Sequence, residues 1–288
     1  MNTLSAPNTA KGRLQRAVLA LLREHEERGE LPTSIRFLFY EAEQQGIVSK
    51  EQTGKRRSDQ NLGEAVMHLR EVGAIPWDWI ADDTRTLHDW RSSSSVAEFV
   101  SESIPRARID PWVGVARPVI LTESRTIGGV FARGIAQDYL SPVAATNGQT
   151  GGFLVTVIAP LLRERQSRVL YVGDLDLAGA DIEANTRRVL ERHLDRAFDE
   201  NSWERVAITA EQAEDLRALG VEPIEKKDGR RKDGGEHEAY EAEALGQGQI
   251  TELLQTRLDD LLPEPLDDVQ EREEDERQVV MDLLHGTG

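Results

Sequence analysis

The chain has 288 residues, no cysteine, 39% hydrophobic residues and a formal net charge of −17. That length admits two domains of ordinary size, each able to bury a core. The missing cysteines exclude disulfides and thiolate metal sites, and no apolar run reaches the roughly 18 residues of a membrane-spanning helix. The opening MNTLSAPNTAKGR lacks the charged-then-apolar order of a signal peptide, so a cytoplasmic protein is expected.

A strongly negative chain is at first sight a poor partner for nucleic acid, because phosphate binding rests on Lys and Arg. The distribution changes that reading. Residues 1–113 hold 15 Lys/Arg against 17 Asp/Glu, the remainder 20 against 35, and residues 259–288 only 2 against 11. The acidity is concentrated at the C-terminus, in a segment (LDDVQEREEDERQ) that reads as a solvated helix or a disordered tail. Basic clusters survive at Lys55, Arg56 and Arg57 and between Lys226 and Lys232.

In chain order, residues 12–28 place Leu14, Val18, Leu21 and Leu22 on one helical face, and Gly29 ends that helix. Thr33 or Ser34 can cap a second helix running to about Gln45. A third spans about Ser58 to Val72 and carries Leu62, Val66 and Leu69 on one side. AIPWDWIADDTR suits a short strand and turn. Three helices followed by a small β-wing predict a winged-helix domain over 1–92. On its third helix, Arg70, with Lys55, Arg56 and Arg57 just before it, is positioned to contact DNA phosphates.

Residues 93–116, with a serine run, prolines and few periodic apolar positions, read as a linker. From 117 to 262 the pattern changes to short β-branched runs (RPVILTE, PVAAT, RVLYVGD, ERVAIT) alternating with helical stretches at 126–138 and 152–164. That alternation predicts a parallel sheet flanked by helices. Residues 263–288 form the acidic tail.

The densest signal is GDLDLAGADIE, residues 173–183. Asp174 and Asp176 follow a buried strand, where open α/β sheets place their ligand sites. Their i, i+2 spacing lets both carboxylates face one cation. Glu123 ends another strand in an equivalent position. Three such oxygen donors suit Mg²⁺. The bland reading is that acidic residues after strands cap the helices that follow.

Glu123 together with GDLDLAGADIE resembles the Toprim domain. Within it, Gly173, Asp174, Asp176, Gly179, Asp181 and Ile182 match the pattern of the A subunit of type IIB topoisomerases (topoisomerase VI) and its meiotic double-strand-break relative. RVAITAEQ, VEPIEKKDGR and YEAEAL resemble that family's downstream order of strand, Lys-containing loop and acidic motif. Arg36-Phe37-Leu38-Phe39-Tyr40 matches the family's Arg-x-x-(Phe/Tyr)-Tyr on its winged-helix domain. The resemblance implies that Tyr40 attacks a DNA phosphate, that Arg36 assists it, and that Glu123, Asp174 and Asp176 hold Mg²⁺. It further implies double-stranded DNA as substrate, a homodimer in which one copy's tyrosine meets the other's metal, and a nucleoid-associated place in the cell. The family's A subunits carry an N-terminal extension that docks an ATPase B-type subunit; this chain is short there and looks more like the small stand-alone relatives. NGQTGGF (147–153) lacks the lysine and aspartate of the family's corresponding region. Two other readings stand beside this one. One is a Toprim nuclease using metal-activated water, with Tyr40 in the core; the other is a non-cleaving DNA-binding protein of a mobile element. His237 reads as part of a solvated face.

Overall fold

The structure, a computed structural model, describes residues 4–49, 58–81, 92–146, 151–165, 167–227 and 236–286. Among them no helix is long and apolar enough to cross a membrane.

Three helices open the chain: α1 (Ala10–Arg28), α2 (Ile35–Gln44) and α3 (Ser58–Glu71). Gly29, at φ 70°, ends α1 in the left-handed region that favours glycine. Ser34 caps α2, its hydroxyl accepting from the Phe37 N–H at 3.2 Å. Val18, Leu21, Leu22, Leu38, Leu62, Val66 and Leu69 converge as one buried cluster. In the described part of the segment after α3, residues 74–81, the expected strand gives way to a 3₁₀ turn at Trp77–Trp79. Pro76 has no N–H to offer a ladder, and the Arg70 guanidinium gathers the carbonyls of Trp77 and Ile80, the latter at 2.7 Å. Among the described residues, strand pairing there is one parallel bridge, Thr33 to Ile80. The rest of the expected wing, like Lys55, Arg56 and Arg57, lies outside the described residues.

The stretch read as a linker contains helix α4 (Val96–Ser103) and contributes to the core. Trp112 is 1% exposed, and its indole N–H donates to the Tyr139 carbonyl at 2.6 Å. Sparse apolar positions hid this, because two side chains, Ile104 and the large Trp112, do the burying.

The expected parallel sheet is present. It comprises β1 (Val119–Thr122), β2 (Val143–Ala145), β3 (Val169–Val172) and β4 (Trp203–Ala207), in spatial order β2-β1-β3-β4 with every pair parallel. Alternate residues divide between two buried faces. Ile120, Leu170 and Val172 face one cluster, with α5 (Arg125–Ala132), α6 (Ile135–Asp138), α10 (Ala210–Ala218) and α11 (Gln247–Leu261) contributing to it. Val119, Leu121, Val169 and Tyr171 face the other, with the helical run from α7 (Gly151–Phe153) through a π-turn to α8 (Ala159–Arg165), and with α9 (Leu177–Leu194). A two-stranded antiparallel hairpin, β5 (Ile224–Lys227) with β6 (Glu236–Ala239), stands apart from this sheet.

The acidic C-terminus is one helix, α12 (Leu266–Gly286). It is not wholly solvated: Val269 and Glu273 are buried. Glu273 accepts from the Ile109 N–H at 2.6 Å and pairs with Arg108 at 3.0 Å.

Candidate functional site

The chain leaves β1 towards β2 on one side and returns to start β3 on the other. The crevice beyond the carboxyl ends of β1 and β3 is therefore the switch point at which open parallel sheets bind ligands. Glu123 stands just past β1; Asp174 and Asp176 stand just past β3. The structure brings the three together. The Asp174 N–H donates to Glu123 Oε2 at 3.1 Å. Gly179 admits this closeness: a Cβ there would lie 3.2 Å from Glu123 Oε2 and only 2.4 Å from the Asp174 carbonyl oxygen.

Each carboxylate has its own support. Asp176 does cap α9, with Oδ1 accepting from the Gly179 N–H at 2.6 Å, so the bland reading holds for one of its oxygens. Oδ2 is free of that duty and takes the Lys226 ammonium at 2.7 Å. Asp174 caps nothing; its Oδ1 accepts from the Ala242 N–H at 3.0 Å. Nor does Glu123 cap α5, a task Ser124 performs. Backbone bonds in both directions between Leu175 and Tyr240 pin the loop after β3 to the chain after β6, which brings Glu241 and Glu243 to the same place.

The cation at the centre is a side chain. Lys226, on β5, lies 2.7 Å from Asp176, 3.4 Å from Glu241 and 3.7 Å from Asp174. Arg36, on α2, lies 3.2 Å from Glu241 and 2.9 Å from Glu243. With the side chains so placed, no group of three carboxylate or imidazole ligands among the described residues is disposed to hold a metal ion. The donor set is nonetheless all oxygen and is already folded around one positive charge, which fits a hard divalent cation such as Mg²⁺.

Electrostatics mark the site as well. Burial, then the neighbouring Asp174, pushes the Glu123 carboxyl up to about 7. Burial likewise raises Glu243 to about 7, against the pull of Arg36. For Asp176 burial disfavours the charge, but Lys226 and the Gly179 N–H outweigh it and hold the carboxyl below its usual value. Strongly shifted carboxyls in a crevice are typical of functional sites, and of structural ion-pair networks too.

Glu123 carries a pH signature. Its folded value of about 7 lies above the ordinary 4.5. The protonated carboxyl therefore adds stability fully below pH 4.5, and that contribution is lost as pH rises through 7. Glu123→Gln keeps the shape and removes the charge. Discounted for a half-buried side chain, the gain at pH 8 without divalent ions is about 2 kcal/mol, or about 4 °C in melting temperature. Melting curves of the two proteins should diverge between pH 5 and 8; parallel profiles would show that the carboxyl is not raised.

Tyr40 is 7% exposed, sits edge-on to Phe39, and joins neither the helical cluster nor the sheet core. It lines an open cleft of about 610 Å³ with Glu43, Ile224 and Glu241. The α2 helix that carries it docks on the 242–245 turn of the same chain, where the Gln44 amide donates to the Ala244 carbonyl at 2.8 Å. Arg70 is tied to backbone carbonyls and stacked on Trp77. Residues 147–150 of NGQTGGF lie outside the described residues.

Several participants were missed at the level of sequence. Lys226 was visible as part of a basic run and of the Lys-containing loop, without its carboxylate partners. Arg205 looked like an ordinary strand residue, yet its Nη1 donates to the carbonyls of Gly173, Ile208 and Asp174 at 3.0, 2.9 and 3.3 Å, while Nε donates to Glu183 at 2.7 Å. His237 is turned inward: it opposes Lys226 across β5 and β6, and both ring nitrogens are shielded from water without a hydrogen-bond partner. The alternation in IEKK and EHEA was the available clue.

No family model, curated protein or solved structure matches the chain.

Proposed function

We propose that the chain is a Mg²⁺-dependent DNA-cleaving protein of the topoisomerase VI A-subunit type, with a winged-helix module and a Toprim-like site. One observation carries the reading: Glu123, Asp174 and Asp176 meet at the switch point of a parallel sheet, and the helix bearing Arg36 and Tyr40 packs against the same acidic turn. A divalent ion bound there supplies charge neutralisation at the phosphate and at the departing oxygen. Tyr40 Oη forms the bond to phosphorus as the bond to the departing deoxyribose oxygen breaks, and the proton lost from the phenol is taken up by that oxygen, which leaves as a free hydroxyl. Arg36 keeps Glu241 and Glu243 in place and brings positive charge to the helix of the nucleophile. Double-stranded DNA as partner, two copies acting on opposite strands, and the nucleoid as location belong to this proposal. Phosphate contacts by Lys55, Arg56, Arg57 and Arg70 belong to it too.

A second reading has its own support. Tyr40 is nearly buried and Arg36 is committed to two carboxylates, which favours a Toprim nuclease in which activated water attacks. Incubation with end-labelled duplex DNA and Mg²⁺, stopped with SDS, separates the two. DNA bound covalently to protein, and lost in both Tyr40→Phe and Asp174→Asn, is the expected result. Free nicked products that survive Tyr40→Phe but not Asp174→Asn establish the nuclease. Salt-sensitive DNA binding without either product overturns both and leaves a non-cleaving DNA-binding protein.

A further inference from the structure

We propose that Lys226 is the resident counter-ion of the carboxylate site, that it must withdraw before a divalent cation can enter, and that it thereby sets the site's affinity for metal. The inference rests on the metal reading above and deepens it.

The ammonium contacts Asp174 Oδ2 and Asp176 Oδ2, one oxygen from each aspartate, the Asp174 contact being the longer. The other oxygens are engaged by the N–H groups of Ala242 and Gly179. Metal and ammonium therefore compete for the same pair of atoms. The contacts span 2.7 to 3.7 Å, whereas Mg²⁺ takes oxygen at about 2.0–2.1 Å, so exchange draws the carboxylates inward. This accounts for a set of acidic side chains that surrounds a cation without yet forming a metal-binding group.

The charge balance leaves room for the exchange. Glu123, Asp174, Asp176, Glu241 and Glu243 gather here, and among the described residues the side-chain cations that pair with them are Lys226 and Arg36. The Asp176 side chain is only 3% exposed, so solvent does little to offset its charge and a cation beside it stabilises it. Arg36 does not substitute, being held on Glu241 and Glu243. Lys226 has a way out: its side chain is 31% exposed, on a flexible stem.

A separate observation points to a ligand at this place. Directly opposite residues of an antiparallel pair project from the same face, so His237 stands beside Lys226. Its two ring nitrogens are shielded from solvent and, among the described residues, without a hydrogen-bond partner. Two shielded imidazole nitrogens without a hydrogen-bond partner beside the carboxylates are groups awaiting one.

Titration calorimetry with Mg²⁺ and with Mn²⁺ on the full chain, paired with melting in chelator, tests the proposal. Lys226→Met and Lys226→Gln are expected to bind metal about tenfold more tightly than the parent at low salt. Lys226→Arg, which keeps the charge, should stay within about twofold of the parent. The two neutral variants should melt lower than the parent in chelator and gain more from metal. Unchanged or weaker metal binding by both neutral variants overturns the role of Lys226 while leaving the metal site standing. No binding heat from the parent or from any variant overturns the metal site itself, and this inference with it.

Discussion

Gly179→Ala is expected to cost the fold about 3 kcal/mol and to abolish any activity that depends on the Glu123–Asp174 contact. Taken alone, the change should help, because alanine is favoured over glycine inside a helix by about 1 kcal/mol. The contact distances reverse the sign. The added methyl would lie 2.4 Å from the Asp174 carbonyl oxygen and 3.2 Å from its carbonyl carbon, both backbone atoms that cannot rotate away. Relief requires either α9 to slide or the Asp174 loop to rise, and each movement breaks the Asp176 cap on the Gly179 N–H. Urea unfolding of both proteins reads the loss. A variant as stable as the parent would mean that the helix and the loop do not approach so closely.

Arg205→Met should be comparably severe, at about 3–5 kcal/mol. This guanidinium serves three carbonyls, those of Gly173, Asp174 and Ile208, and the Glu183 carboxylate, which lies 2.7 Å from both Nε and Nη2. Methionine fills the volume and leaves Glu183, 15% exposed, without its charged partner; the Trp203 indole N–H at 2.7 Å is then its remaining support. Lysine retains charge but not the planar fork, so Arg205→Lys should recover only part of the loss. Glu183→Leu placed on top of Arg205→Met should return more than half of it, because the uncompensated buried carboxylate is then gone. Additive single losses in the four-protein cycle would show that the pair is not coupled.

What could be read from the sequence was what local pattern encodes. The strand ends bearing Glu123, Asp174 and Asp176 follow from buried four-residue runs closed by polar residues, and β-strand periodicity settles which residues face which core. Ser34 as the cap of α2 follows from its side-chain chemistry. What escaped depends on contacts between distant parts of the chain. Lys226 meets Asp176 across 50 positions, and Gln44 meets Ala244 across 200. No spacing rule reaches so far. The described start of the expected wing, 74–81, forms a turn and not a ladder for a local reason, since Pro76 and the Arg70 clamp favour it. The acidic tail misled through composition: a run of charges conceals the one carboxylate, Glu273, that faces inward to Arg108 and the Ile109 N–H.

The placement of α2 constrains how the molecule can accept a wide substrate. Phe37 inserts into the sheet core while its neighbour Leu38 inserts into the helical cluster, each at most 2% exposed. The helix thus works as a rivet through two plates. Levering the first three helices away from the sheet would expose the Phe37 ring at about 2–3 kcal/mol, before the Gln44 and Gln247 bonds are lost. Such an opened form amounts to no more than about one molecule in a hundred. Under the proposed reading, duplex DNA meets a jaw already set.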